Sequence, residues 1–188
     1  MENNRCGWSE KYPVMVEYHD REWGVPLFDE NRVFEMFSLD CFQAGLSWIT
    51  ILNKRPAFRL AFDNFNIDKV AAYDQKKIDA LLLNPGIVRN RLKIPADIHN
   101  AKMAGLTRAE FGSFSGYVWS FSKGKTIQNK WKSMENIPVT SAVSDAMSAD
   151  MIKRGFKFAG STICYAFMQS IGMVNDHLIS CFRHKELA

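Results

Sequence analysis

Apolar residues recur along this chain at spacings of three and four, and almost nowhere in strict alternation. That period puts side chains on one face of an α-helix, whereas a half-buried strand needs a period of two. No Asn-Gly hairpin dipeptide occurs. The pattern therefore predicts an all-α fold.

Residues 31–42 place Val33, Phe34, Phe37 and Leu39 near one helix face. Gly45 interrupts, and a helix resumes over 46–54. Pro56 suits the first turn of a further helix carrying Phe58, Leu60, Ala61 and Phe62. Asp68 and Asp74 are expected to cap two short helices. Asn84-Pro85-Gly86 reads as a turn, with helix returning from Ile87. Pro95 should kink or break that segment near Ile94. Ser144 is expected to cap a helix ended by Gly155, and a last long helix should run over 162–171. Residues 122–140 are polar and mixed, and read as a connection with little regular structure.

The chain has 188 residues, 47% hydrophobic and 23% charged, enough for a buried core and ordinary globular usage. Fourteen Phe and five Trp must be buried or serve as binding surface. The net charge of +4 permits an anionic partner. Basic residues gather as Lys54, Arg55 and Arg59, as Arg89, Arg91 and Lys93, and as Lys153, Arg154 and Lys157. Each group alone suits a solvated helix face, while three groups flanking turns hint at phosphate contacts. Glu2 and Asn3 open the chain without an apolar leader. The apolar stretch over 41–52 is broken by Gln43, Gly45 and Ser47 and is too short for a bilayer. A cytoplasmic protein with no membrane partner is expected, and its four cysteines then read as thiols or metal ligands.

Cys6 and His19 stand early; His177 and Cys181 stand late, at i and i+4 on one face if that segment is helical. Two thiolates and two imidazoles suit tetrahedral zinc. Spacing alone leaves two buried thiols and two unrelated histidines as the favoured alternative, with His184 a competing ligand. Trp8, Tyr18, Trp23 and Trp48 are core aromatics or the walls of a pocket for a flat, electron-poor ring. Asp40 is the acidic residue nearest the Gln43-Ala44-Gly45-Leu46-Ser47-Trp48 run. The turn ending in Gly86, with Arg89 and Arg91 after it, is either a plain helix connection or a place for a DNA phosphate.

Several ordered blocks resemble the DNA-3-methyladenine glycosylase I family of the helix-hairpin-helix superfamily. They are Arg5-Cys6-Gly7-Trp8, Tyr18-His19-Asp20 with Glu22-Trp23-Gly24-Val25-Pro26, and Gln43 through Thr50. Further blocks are Gly86-Ile87, Val118-Trp119-Ser120-Phe121, Arg154 through Phe158, and Asn175-Asp176-His177 with Cys181. The resemblance covers nearly the whole chain. It implies a single glycosylase unit over 1–188, with a helical region over 31–121 and its hairpin near 84–87. The terminal regions 1–30 and 122–188 would be tied by a structural zinc on Cys6, His19, His177 and Cys181.

The resemblance further implies a monofunctional enzyme that hydrolyses the N-glycosidic bond of 3-methyladenine in alkylated double-stranded DNA. It would release the free base and act as a monomer. Asp40 and Tyr18 would serve the chemistry, and Trp8, Trp23 and Trp48 the base pocket. Gln43, Gly45 and Leu46 would fill the gap left by the flipped nucleotide, and Gly86, Arg89 and Arg91 would hold the backbone. The chain departs from the family pattern in carrying Asp40 where glutamate is usual and Met15 where tyrosine is common. Cys41 and Phe42 replace smaller or polar residues. Two rivals stay open: a catalytically weak binder of alkylated DNA on the same fold, and a zinc-stapled interaction module without nucleic acid.

Overall fold

A computed structural model describes residues 4–188; Glu2 and Asn3 lie outside it. Ten α-helices carry the described residues, and one short parallel strand pair is the only sheet among them. The helices are α1 (Pro13–Arg21), α2 (Glu30–Gln43), α3 (Trp48–Ala61), α4 (Ile67–Ala71) and α5 (Gln75–Leu83). They continue as α6 (Lys93–Phe111), α7 (Phe114–Ser120), α8 (Ala142–Lys153), α9 (Ser161–Ser170) and α10 (Phe182–Glu186). The all-α expectation holds. No helix among the described residues is long and apolar enough to cross a membrane.

The centre of the molecule is α2. Asp29 caps it by accepting from the Arg32 N–H at 2.9 Å. Every residue from Val33 to Phe42 is buried, so this helix is surrounded on all sides rather than laid on a surface. Phe37 packs against Phe114, Phe156 and Phe167 on one side, while Phe42 packs on Phe58 and Phe62 on another. Because α2 is encased, its buried polar side chains gain most from a partner or a cavity. Glu35 takes the first course, accepting from Arg59 at 2.8 Å and Arg32 at 3.0 Å.

Several boundaries differ from the sequence expectation. Pro56 starts no helix; it lies inside α3, which runs unbroken. The proline forfeits the bond to the Leu52 carbonyl, at a cost of about 3 kcal/mol. Full burial of Phe58 within the helix and of Phe62 just past its end offsets that cost. Helix does not return at Ile87 but at Lys93, so Pro95 falls in the first turn of α6, where N–H groups need no partner, and no break occurs. The cap before α4 is Asn66 rather than Asp68; Asp74 does cap α5. Ser141 caps α8, with Ser144 completing a capping box three residues on.

The segment 177–181 is a turn, not a helix, and α10 begins only at Phe182. The 122–140 connection is mostly irregular, as expected, but Ile127–Gln128 pairs in parallel with Val174–Asn175. Buried Asp176 anchors it further, accepting from Asn129 and Trp131 at 2.7 Å each, Tyr165 at 2.7 Å and Gln169 at 2.8 Å.

Candidate active site and metal cluster

The expected aromatics do converge on a void. A cavity of about 340 Å³ is lined by Trp8, Tyr18, Trp23, Trp48 and Met15, with Asp40 and Gln43 from α2. Its size falls within the range of small-ligand sites. Trp8 meets Trp23 edge-on at 5.0 Å between ring centroids, and Tyr18 lies 5.4 Å from Trp48. Two features hold these walls. Arg55 of α3 forks onto Glu22, just past α1, at 2.7 and 2.6 Å, which fixes α1 against α3. The indole N–H of Trp48 is buried without a partner, a donor left over for a ligand.

Asp40 faces this space at 3% exposure. Its one hydrogen bond comes from Ser170 Oγ at 3.0 Å. Burial pushes the Asp40 carboxyl up to about 8, and the Ser170 bond only partly counters it. The Tyr18 phenol is pushed well above its ordinary range, by burial first and then by the charge of Asp40 and Glu22, so it remains a neutral hydroxyl.

Sequence reasoning missed the far wall. Met134 and Ile137 come from the 122–140 connection, and Ala166, Gln169 and Ser170 from α9. Gln169 and Ser170 carried a usable signal, as polar residues closing an otherwise apolar helix. Met134 and Ile137 carried none, because an irregular segment has no period to show which side chains turn inward.

Cys6, His19, His177 and Cys181 come together, all buried, with their ligand atoms within 4.8 Å of one another. His184 stays apart, bonded to the Asn129 carbonyl at 2.7 Å. The outer ring nitrogens are committed as donors. His19 Nδ1 lies 2.8 Å from Asp20 Oδ1, and His177 Nε2 lies 3.0 Å from the Trp23 carbonyl. Both inner nitrogens therefore present lone pairs, yet they stand 3.2 Å apart with Cys181 Sγ 3.5 and 3.6 Å away. His19 Nε2 also faces the Cys6 N–H at 3.4 Å, but lone pairs converging at such range suit a shared cation, and outward donation is how metal-binding imidazoles are oriented. The Cys181 sulfur is favoured as thiolate, chiefly by the Cys6 S–H. Gly24, at φ 78°, backs the cluster; a Cβ there would meet His177 Nε2 at 3.1 Å. These four residues fit a metal ion.

The two loops expected to meet DNA hold each other. Gly45, at φ 80°, turns the chain between α2 and α3 and leaves Leu46 42% exposed. Lys93 of α6 donates to the Phe42 and Ala44 carbonyls at the start of that turn, at 2.9 and 2.6 Å. Lys54 of α3 donates to the Pro85 and Gly86 carbonyls at 3.1 and 3.3 Å. Each helix thus reaches back to the other's loop. The Gly86 N–H is already taken by Asn84 Oδ1 at 2.8 Å. Of the basic groups, Arg55, Arg59 and Arg154 are bound within ion pairs, while Arg89 and Arg91 remain exposed without one among the described residues.

A family model described as methyladenine glycosylase matches residues 8–184. DNA-3-methyladenine glycosylase 1 of Escherichia coli (strain K12) is 46% identical over 178 residues, covering 94% of this chain and 95% of that one. DNA-3-methyladenine glycosylase of Haemophilus influenzae is 45% identical, over 94% of this chain and 96% of its own. Among solved structures, 3-methyladenine DNA glycosylase I from Staphylococcus aureus, studied for its recognition of 3-methyladenine, superposes with a TM-score of 0.91. It is 34% identical and covers 95% of both chains.

Proposed function

Because the chain belongs to the methyladenine glycosylase family, we propose that it hydrolyses the N-glycosidic bond of 3-methyladenine in duplex DNA, taking the extruded base into the aromatic cavity. The observation that carries this reading is Asp40: a carboxyl buried under one hydrogen bond at the floor of a purine-sized space.

The alkylated nucleotide is cationic, and the faces of Trp8, Tyr18 and Trp48 attract it, at about 0.5–2 kcal/mol per contact. The arriving charge favours the ionised form of Asp40, which then accepts from the adenine edge. The neutral Tyr18 hydroxyl and the free Trp48 N–H supply donors. The leaving group is already good, so orientation and charge do most of the work. Water bonds to the sugar C1′ and loses a proton. The C1′–N9 bond breaks with its electron pair going to the base, which departs as neutral 3-methyladenine and leaves an abasic site.

Gln43, Gly45 and Leu46 hold the gap in the duplex, with Leu46 as wedge, and Arg89 and Arg91, exposed just past the 84–86 turn whose Gly86 N–H is already used, meet the phosphates. Zinc suits Cys6, His19, His177 and Cys181 by ligand type; four protein ligands leave no place for water, so its part is structural.

The test is release of 3-methyladenine from methylated duplex by the parent and by Asp40→Asn. Release by the parent, cut at least tenfold in the variant, is expected. An Asn variant as active as the parent removes Asp40 from the chemistry. Tight binding of alkylated duplex with no base freed makes the protein a binder instead.

A further inference from the structure

The loop between α8 and α9 is held more tightly than a helix connection requires. Phe158 stands at φ 57°, in the left-handed region that a side chain with a Cβ resists. The surroundings enforce it. Asn100 of α6 clasps Lys157, accepting from its N–H at 2.7 Å and donating to its carbonyl at 3.0 Å. The Cys41 thiol meets the Phe158 carbonyl at 3.8 Å. Ser148 Oγ and the Cys164 thiol both donate to the Ala159 carbonyl, at 2.7 and 3.4 Å. These anchors sit in the interior, with Asn100 and Cys164 fully buried, while Phe158 itself is 39% exposed. A strained backbone fixed from several sides, displaying an aromatic ring outward, is the mark of a positioned contact.

The anchors also locate the loop. Cys41 precedes Gln43 by two residues, and the turn bearing Leu46 begins there. Asn100 belongs to the first half of α6, whose Lys93 grips that same turn. His99 binds the Gly155 carbonyl at 3.0 Å, so the near end of the loop rests on α6 too. The loop carrying exposed Phe158 and Lys157 is thereby tied to α2 and α6, the two helices that hold the Leu46 turn.

We infer that Phe158 is a second duplex-contacting residue, whose ring stacks on the base left unpaired when its partner enters the cavity, while Leu46 occupies the gap. This rests on the glycosylase reading of the cavity. Every base offers a π-face, so such a contact serves any sequence around the lesion. A ring fixed in advance loses little freedom on binding.

The test uses full-length, metal-loaded protein and a duplex with a tetrahydrofuran abasic analogue opposite 2-aminopurine. Phe158→Gly removes the ring and also relieves the positive φ, so its melting temperature should hold or rise. Affinity for the duplex should fall by about 5- to 100-fold, from the usual worth of a base–aromatic stack. The change in 2-aminopurine emission given by the parent should be lost, and Phe158→Trp should restore both. Binding of free 3-methyladenine, followed by tryptophan fluorescence, should not change. Duplex affinity within twofold of the parent overturns the inference, as does an affinity loss matched by a fall in melting temperature. If the parent frees base from alkylated duplex in that case, only the Phe158 contact is lost. A parent that frees none removes the glycosylase reading, and this one with it.

Discussion

Asp40 and Asp97 are the two carboxyls that burial raises most clearly, to about 8 and about 7. Asp97 has no hydrogen-bond partner for either oxygen. An unfolded aspartate titrates near ~3.9, so between that value and the raised one the folded chain holds more protons than the unfolded chain. Stability must therefore fall as pH climbs through this window, and the loss is complete above the folded values. Denaturant unfolding of metal-loaded protein at pH 6 and pH 8.5 should show it. Asp97→Asn should remove a decline on the order of 1 kcal/mol over that span, and Asp40→Asn a larger one, on the order of 2 kcal/mol. Parent stability that is flat across the two pH values would contradict raised carboxyls at both sites. Asp40 was legible in the sequence through the motif beside it. Its bond to Ser170, 130 residues away, was not, and neither was the isolation of Asp97. Desolvation is set by what packs around a group, and no spacing rule records it.

Helices were legible where the apolar period is clear, as at α2 and α9, and where period and cap agree, as at α5. The prolines misled because their local signal is the same at the first turn and in the middle of a helix. Pro56 is tolerated inside α3 by the burial of Phe58 and Phe62, and Pro95 costs nothing because α6 starts two residues before it. Lys54 and Lys93 looked like phosphate ligands by charge alone. Both instead cap backbone carbonyls at the loops, and burial lowers the Lys93 ammonium from its ordinary range. Lys93→Met should loosen the turn that carries Leu46. Excision from duplex is expected to fall by about tenfold, the equivalent of roughly 1.4 kcal/mol, with binding of free 3-methyladenine unchanged. Equal loss of both would make Lys93 a general packing residue rather than one that sets the wedge.

Across the whole molecule, the cluster of Cys6, His19, His177 and Cys181 joins the two ends of the described chain, with Cys6 and His177 lying 171 residues apart. Spacing could not show that the halves meet; only the family resemblance implied it. The cluster also abuts the cavity through Trp23, whose carbonyl binds His177 and whose ring lies edge-on to that imidazole at 4.7 Å. Stripping metal with a chelator should lower the melting temperature by several degrees and weaken 3-methyladenine binding, with both restored on adding one equivalent of zinc. Loss of heat resistance with undiminished base binding would uncouple the cluster from the cavity. The two indoles between them, Trp23 against His177 and Trp8 against His19, have an experimental use. Cobalt(II) exchanged into the four-ligand set would place an unpaired-electron spin one ring's breadth from whatever occupies the cavity. Relaxation of the protons of a docked purine would then serve as a ruler for its position, read from within the protein with no attached label.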